Sequence, residues 1–341
     1  MWRIISKKSY IIKLIKRGYN YTMKNLKIIL TVLFITLLIL FAFISTKQQS
    51  QTSTKPIIGA TTFALYDATK YIAGETCKVV NILPFGVDPH SFEPTPKLMV
   101  NIEKSALVFY SGAGLEPWVQ NFDFKGKAVD LSKYVHLRKL EQHSEDEEEH
   151  HSEHADKHEH HQHHHNGIDP HYWLDFNNMK IISTVITEKL IALLPQNRAL
   201  YMNNRDAYIK KLDKLNLAYQ TQLSGCKNDT VVVSHNALGY IADKYGFHVE
   251  SLTGLSPEAQ PSAQDINRVF NGIKEHGIDT IFFENFVNDK LIKSIAHDAG
   301  ISFDVFEPLG NITADEAKAG KSYEDIMYEN LKKLRKALQC Q

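Results

Sequence analysis

Residues 230–252, TVVVSHNALGYIADKYGFHVESL, decide how this chain folds. A short apolar run, TVVVSH, gives way to a helical pattern, ALGYIADKYG, and then to a second run, FHVESL. Alternation of this kind points to parallel α/β units. It continues downstream through SAQDINRVFNGIKEHG, DTIFFE, NDKLIKSIAHDAG and ISFDVF to a last amphipathic helix near 322–338. Upstream, IIGAT, FALYDATKYIA, CKVVNIL, PTPKLMVNIEKS and ALVFY form an earlier series of the same type. Between the two series, residues 198–223 hold neither proline nor glycine and place Leu200, Ala207, Tyr208, Leu212, Leu215 and Tyr219 at helical spacing. They predict one helix of about 39 Å at 1.5 Å per residue. The expected fold is α/β: two parallel-sheet lobes, 56–196 and 225–341, joined by a long connecting helix over 197–224 that limits hinge motion, with a ligand cleft between the lobes.

Composition narrows the function less than its distribution does. The chain has 341 residues, 43% apolar and 23% charged, which excludes disordered and collagen-like classes. Its 39 basic and 39 acidic residues cancel, yet residues 1–27 carry eight of the basic ones and no acid. The uncharged run IILTVLFITLLILFAFI (28–44) follows, preceded by the basic MKNLK that begins at Met23. Residues 1–45 therefore read as an amino-terminal extension plus an export signal, cleaved or retained as an anchor. No cysteine follows the run to accept a lipid. Beyond residue 45 there are 31 basic residues against 39 acidic ones, a net of −8. That balance argues against nucleic acid as a partner, because phosphate recognition needs a basic face. Three cysteines exclude a disulfide-dense scaffold.

Histidine is the informative residue type. Ten of seventeen lie in residues 141–165, EQHSEDEEEHHSEHADKHEHHQHHH, beside nine acids and one lysine. Such a stretch cannot form a core. It reads as an insertion in the first lobe offering auxiliary, weak metal contacts through His150, His151, His154, His158, His160, His161, His163, His164 and His165. A tolerated surface insertion is the alternative.

Three of the other seven histidines stand in distinctive settings: His90 in GVDPHSFEPTP, His171 in DPHYWLDF and His235 at the end of TVVVSH. Ligands of open parallel sheets gather at the carboxyl ends of strands. Asp88 and Asp169 precede His90 and His171 in identical DPH tripeptides, where each carboxylate can orient an imidazole from behind. Glu284 and Glu307 end the apolar runs DTIFFE and ISFDVFE, and either can supply an oxygen ligand. Three imidazoles with one carboxylate or water form a tetrahedral zinc set, whereas manganese sites hold more carboxylate oxygen. His136, His248, His276 and His297 lack such settings. Tyr172, Trp173 and Phe176 beside His171 would shield the ion from water or simply pack. Cys77, beside an apolar strand, reads as a small core residue.

These segments, with IFFEN at 281–285, VSHNALGYIADKYGF at 233–247 and FEPLGN at 306–311, resemble the metal-binding solute receptors of ABC transporters, in particular the zinc branch. The resemblance covers about residues 56–341. It implies a monomeric receptor in the periplasm or on the outer face of the cytoplasmic membrane. Such a receptor captures zinc between two α/β lobes and delivers it to a membrane permease driven by an ATPase. By the same resemblance His90, His171 and His235 are the ligands. Glu307 falls where manganese-binding relatives place an aspartate, but Pro-Leu-Gly follows it here, so Glu307 or a water takes the fourth position and Glu284 stands beside or behind it. Zinc-binding relatives often carry a disulfide in the second lobe. Cys226 and Cys340 flank that lobe and would tie its ends together; two free thiols are the other reading.

Other classes compete on the same residues. Three histidines with an open position also describe a zinc hydrolase or hydratase, although neither HExxH nor GxSxG is present. An envelope metal chaperone or adhesin, and a manganese receptor, remain as further readings.

Overall fold

The computed structural model describes residues 55–121, 124–139, 167–255, 257, 259–286 and 290–341, together with 14, 17, 23, 25–28 and 30–41 near the amino end. The amino-terminal unit, 1–54, contributes exposed helical residues at 25–28 and 30–41. Among the described residues no helix is long and apolar enough to cross a membrane. The remainder of the expected export signal and the whole His-rich tract 141–165 lie outside the described residues.

Residues 55–341 form one compact unit containing two four-stranded parallel sheets. The first sheet begins with β1 (Ile57–Ala60), helix α1 (Phe63–Ala73) and β2 (Lys78–Asn81). It continues with α2 (Pro96–Glu103), β3 (Leu107–Tyr110) and β4 (Ala128–Asp130). Helices α3 (Phe176–Leu193) and α4 (Arg198–Gln222) then lead to the second sheet. There β5 (Thr230–His235), α5 (Gly239–Tyr245), β6 (His248–Thr253) and α6 (Ala263–Glu275) precede β7 (Thr280–Phe283), α7 (Lys290–Ala299) and β8 (Ser302–Val305). Helices α8 (Ala314–Ala319) and α9 (Tyr323–Ala337) close the chain. The strand orders, β2-β1-β3-β4 and β6-β5-β7-β8, repeat one topology in the two lobes. All six residues of β5 are buried, as a central strand covered on both faces requires.

One apolar core runs through both lobes. It joins Ile58, Phe109 and Trp173 to Val231, Phe306 and Tyr323 without a break. Helix α4 packs against α3, α1 and α9 through Tyr201, Tyr208, Leu212, Leu215 and Tyr219. At 1.5 Å per residue its 25 residues span about 38 Å. Leu200 and Ala207, expected on that stripe, are exposed instead. Each precedes a buried tyrosine, and one residue turns a helix by about 100°, so Tyr201 and Tyr208 bury at the cost of their neighbours. Cys226 and Cys340 are disulfide-bonded, which closes the second lobe at its base, and Cys77 is a buried thiol.

The lobes are also fastened at the segment after β8. The backbone N–H groups of Phe63 and Ala64, at the start of α1, donate to the carbonyls of Gly310 and Leu309 at 3.0 and 3.2 Å. First-turn N–H groups of a helix have no partner within the helix, so the second lobe caps the first lobe's helix. Gly86 donates to the Ile312 carbonyl, and the Asn311 amide donates to the carbonyls of Pro84 and Val87. These bonds hold the loop that carries His90. They also fix Leu309 at φ 63°, a left-handed conformation that costs a branched residue about 1–3 kcal/mol.

Candidate metal centre

Each candidate histidine is delivered by a different part of the fold. His235 is the last residue of β5, His90 lies in the loop after β2, and His171 leads into a 3₁₀ turn at Tyr172–Leu174. In the DPH turns, the Asp88 carboxylate accepts from the His90 backbone N–H at 2.6 Å and the Asp169 carboxylate from that of His171 at 3.0 Å. Each bond curls the chain back and turns its imidazole toward the junction of the lobes.

The three Nε2 atoms converge. His171 Nε2 lies 3.2 Å from His90 Nε2 and 3.4 Å from His235 Nε2. A tetrahedral cation bound at about 2.0–2.1 Å from each nitrogen needs neighbouring nitrogens about 3.4 Å apart, so the spacing suits such an ion. Among the described residues, these three histidines form the group whose potential ligand atoms all lie within 4.8 Å of one another. Neither carboxylate of the expected set, Glu284 or Glu307, belongs to it.

The carboxylates do other work. Asp169 Oδ1 pairs with His171 Nδ1 at 2.8 Å, and Glu284 pairs with His235 Nδ1. A carboxylate behind Nδ1 keeps the proton there and leaves the Nε2 lone pair facing the common point. Burial opposes a charged His235, but the charge and hydrogen bond of Glu284 outweigh it and hold its pKa above the ordinary value. Glu307 accepts from the Asn285 side-chain amide, and Asn330 on α9 bonds its backbone N–H and carbonyl. Burial, then the charges of Glu316 and Glu284, push its pKa up to about 8. In the metal-free protein Glu307 therefore favours its neutral form near pH 7.

The surroundings are tight. Asp88, Pro89, Trp173, Glu284, Phe286, Pro308, Gly310 and Asn311 enclose the three imidazoles around a cavity of about 10 Å³, room for an ion or one water. The Trp173 ring packs edge-on against His171, and its indole N–H donates to the Pro308 carbonyl. A Cβ at Gly310 would stand 2.9 Å from Pro89 Cγ, so a glycine lets the post-β8 segment close over the DPH turn. His171 and His235 are buried whereas His90 is half-buried. The four histidines set aside, His136, His248, His276 and His297, are exposed. Sequence reasoning missed Asn285, Phe286 and Asn311. IFFEN and FEPLGN contained two of them, but nothing local marks an asparagine that bonds a segment more than 200 residues away.

Residues 58–337 match the family described as zinc-uptake complex component A, periplasmic. The zinc-binding lipoprotein AdcA of Streptococcus pneumoniae is 31% identical over 295 residues, 86% of this chain, which spans only 58% of that relative's length. The high-affinity zinc uptake system protein ZnuA of Bacillus subtilis is 32% identical over 298 residues, 86% of this chain and 91% of that protein. Among solved structures, the Zn(II)-bound ZnuA-like domain of the pneumococcal AdcA aligns with a TM-score of 0.68 at 28% identity, covering 84% of this chain and 99% of that one. The chain therefore belongs to the family of the periplasmic zinc-uptake component A.

Proposed function

We propose that this chain is the receptor of a zinc importer facing the outside of the cytoplasmic membrane. It captures one Zn²⁺ on His90, His171 and His235 and surrenders it to an ABC permease powered by an ATPase. The convergence of three Nε2 atoms at the lobe junction carries this reading, with a carboxylate behind two of the rings. Three neutral imidazoles suit zinc better than manganese, which prefers carboxylate oxygen. A water completes the set, since Glu307 is engaged by Asn285 and lies outside the group of converging ligand atoms.

Capture without turnover is supported by how closely the three imidazoles are enclosed. The cavity at the three imidazoles is about 10 Å³, the size of an ion or one water, whereas small-molecule sites occupy about 300–1,000 Å³. The ion enters and leaves past His90, the half-buried ligand. The relatives' names support the same function, and the match to a periplasmic component supports an outward-facing location.

A competition titration of the chain lacking 141–165 tests the proposal, comparing zinc, manganese, iron, nickel and copper with bound metal counted by elemental analysis. One tight zinc equivalent that disappears in His171→Ala supports it. No tight equivalent in the chain that lacks 141–165 but keeps His90, His171 and His235 would move binding to the histidine tract and overturn the site.

A further inference from the structure

Arg138 lies on the side of Asp169 away from His171, and no role at the site has been given to it. Its guanidinium Nη1 is 3.7 Å from Asp169 Oδ2, the oxygen that does not meet His171. Both atoms are buried, and neither makes a hydrogen bond among the described residues, so each faces the other as its ionic partner. The rest of Arg138 is fixed from the second lobe. Its Nε donates to Asp243 Oδ2 at 2.5 Å, and its backbone N–H donates to the Tyr240 hydroxyl at 2.8 Å. Tyr240 in turn donates to the Asp169 carbonyl at 2.9 Å, while the Asp169 N–H donates to the Arg138 carbonyl at 3.0 Å.

The backbone leaves room for this contact at one place. An ideal Cβ on Gly239 would fall 2.6 Å from Arg138 Nη1 and 2.8 Å from Asp169 Oδ2, so any side chain there must displace the pair. The charge pattern is consistent with the geometry. Asp169 is fully buried, and a buried carboxylate without a cation nearby is costly and turns toward whatever donor it can reach.

We infer that Arg138 is a positioning residue for zinc binding: it holds the Asp169 carboxylate so that Oδ1 stays on His171 Nδ1. This rests on the three-histidine reading of the site. Two effects of removing the guanidinium oppose each other. Losing the anchor weakens the grip on His171, whereas losing a positive charge favours a dication. A double-mutant cycle with Asp169→Asn separates them, because anchoring acts through Asp169 and long-range repulsion does not.

Zinc affinity of the full chain is measured by chelator competition, the tight equivalent being the one absent from His171→Ala. Arg138→Met is expected to weaken that equivalent about tenfold, within the range found for partners behind metal ligands. In the Asp169→Asn background the same change costs less than about twofold. Cobalt(II) provides a spectroscopic check: its visible bands shift in Arg138→Met and coincide in Asp169→Asn with and without Arg138→Met. Gly239→Ala keeps the arginine but sets a methyl against both its guanidinium and Asp169 Oδ2, so it breaks the contact from both sides, reproduces the loss and serves where Arg138→Met fails to fold. Unchanged or raised affinity in Arg138→Met and Gly239→Ala overturns the inference, as does an equal loss in both backgrounds. If the wild type lacks a tight equivalent dependent on His171, the histidine site itself fails and the inference falls with it.

Discussion

Removing the carboxylate behind His235 tests the chemistry of the centre most directly. His235 Nδ1 is paired with Glu284 in a buried setting, so the carboxylate both fixes the tautomer and adds negative charge beyond the ring. Coulomb's law sets the scale: a single charge about 6.5 Å from a dication at an effective dielectric of 20 interacts by about 5 kcal/mol. Metal-site variants that lose such partners weaken binding by about 10–100-fold, or about 1.4–2.7 kcal/mol. Glu284→Gln retains an acceptor and loses only the charge, so about tenfold is expected. Glu284→Ala loses the tautomer lock too, so about 100-fold is expected. The pH profile should move with affinity. Glu284 holds the His235 pKa above its ordinary value, so in the wild type protons compete with zinc from above pH about 6.5. Without the carboxylate, proton competition sets in at lower pH. The same linkage makes the His235–Glu284 pair a stabiliser of the metal-free fold that is fully present below pH about 6.5 and lost as pH rises through the raised pKa. Chelator competition between pH 5.5 and 8 is the assay. Affinity of Glu284→Ala within twofold of wild type, with an unshifted proton profile, would refute this account of the site.

His90→Ala, His171→Ala and His235→Ala are each expected to abolish the tight zinc equivalent, whereas deleting 141–165 spares it and removes weaker ones; equilibrium dialysis with elemental analysis counts both. For Glu307, folded and unfolded pKa values of about 8 and 4.5 mean that the metal-free protein loses stability as pH rises from about 4.5 to 8. Glu307→Gln should flatten that profile in denaturant melts and keep zinc affinity within about threefold; a larger loss would make Glu307 the fourth ligand in place of water. Gly310→Ala puts a methyl against Pro89 and is expected to cost about 1–3 kcal/mol by overpacking and to weaken zinc binding, read by thermal melts with and without metal.

Much of the fold was legible because parallel α/β units announce themselves locally. TVVVSH is a fully buried strand, FALYDATKYIA is α1, and the run without proline or glycine that precedes TVVVSH is α4. The three histidines were legible through their DPH turns and strand end. Less legible was the work of each acid. Glu284 and Glu307 look alike in sequence, each ending an apolar run, yet one backs an imidazole while the other is buried, neutral and held by Asn285. The difference lies in which side chains the neighbouring strands β7 and β8 bring beside them. Helix α4 shows the same limit on a smaller scale: spacing identified the helix, but packing against α1, α3 and α9 chose Tyr201 over Leu200 for the buried stripe.

The sequence by itself determined the alternation of strands and helices, the length of the connecting helix and the residue types able to hold a soft divalent cation. Those properties depend on backbone periodicity and side-chain chemistry, which neighbouring residues settle. Only the tertiary structure decided that His171 Nε2 meets those of His90 and His235, 81 and 64 residues away, at 3.2 and 3.4 Å, that Asp169 and Glu284 stand behind two of the rings, and that Arg138 reaches Asp169 across a glycine. Distances of that kind are fixed by how two sheets close on one shared core, and no local pattern in the chain encodes them.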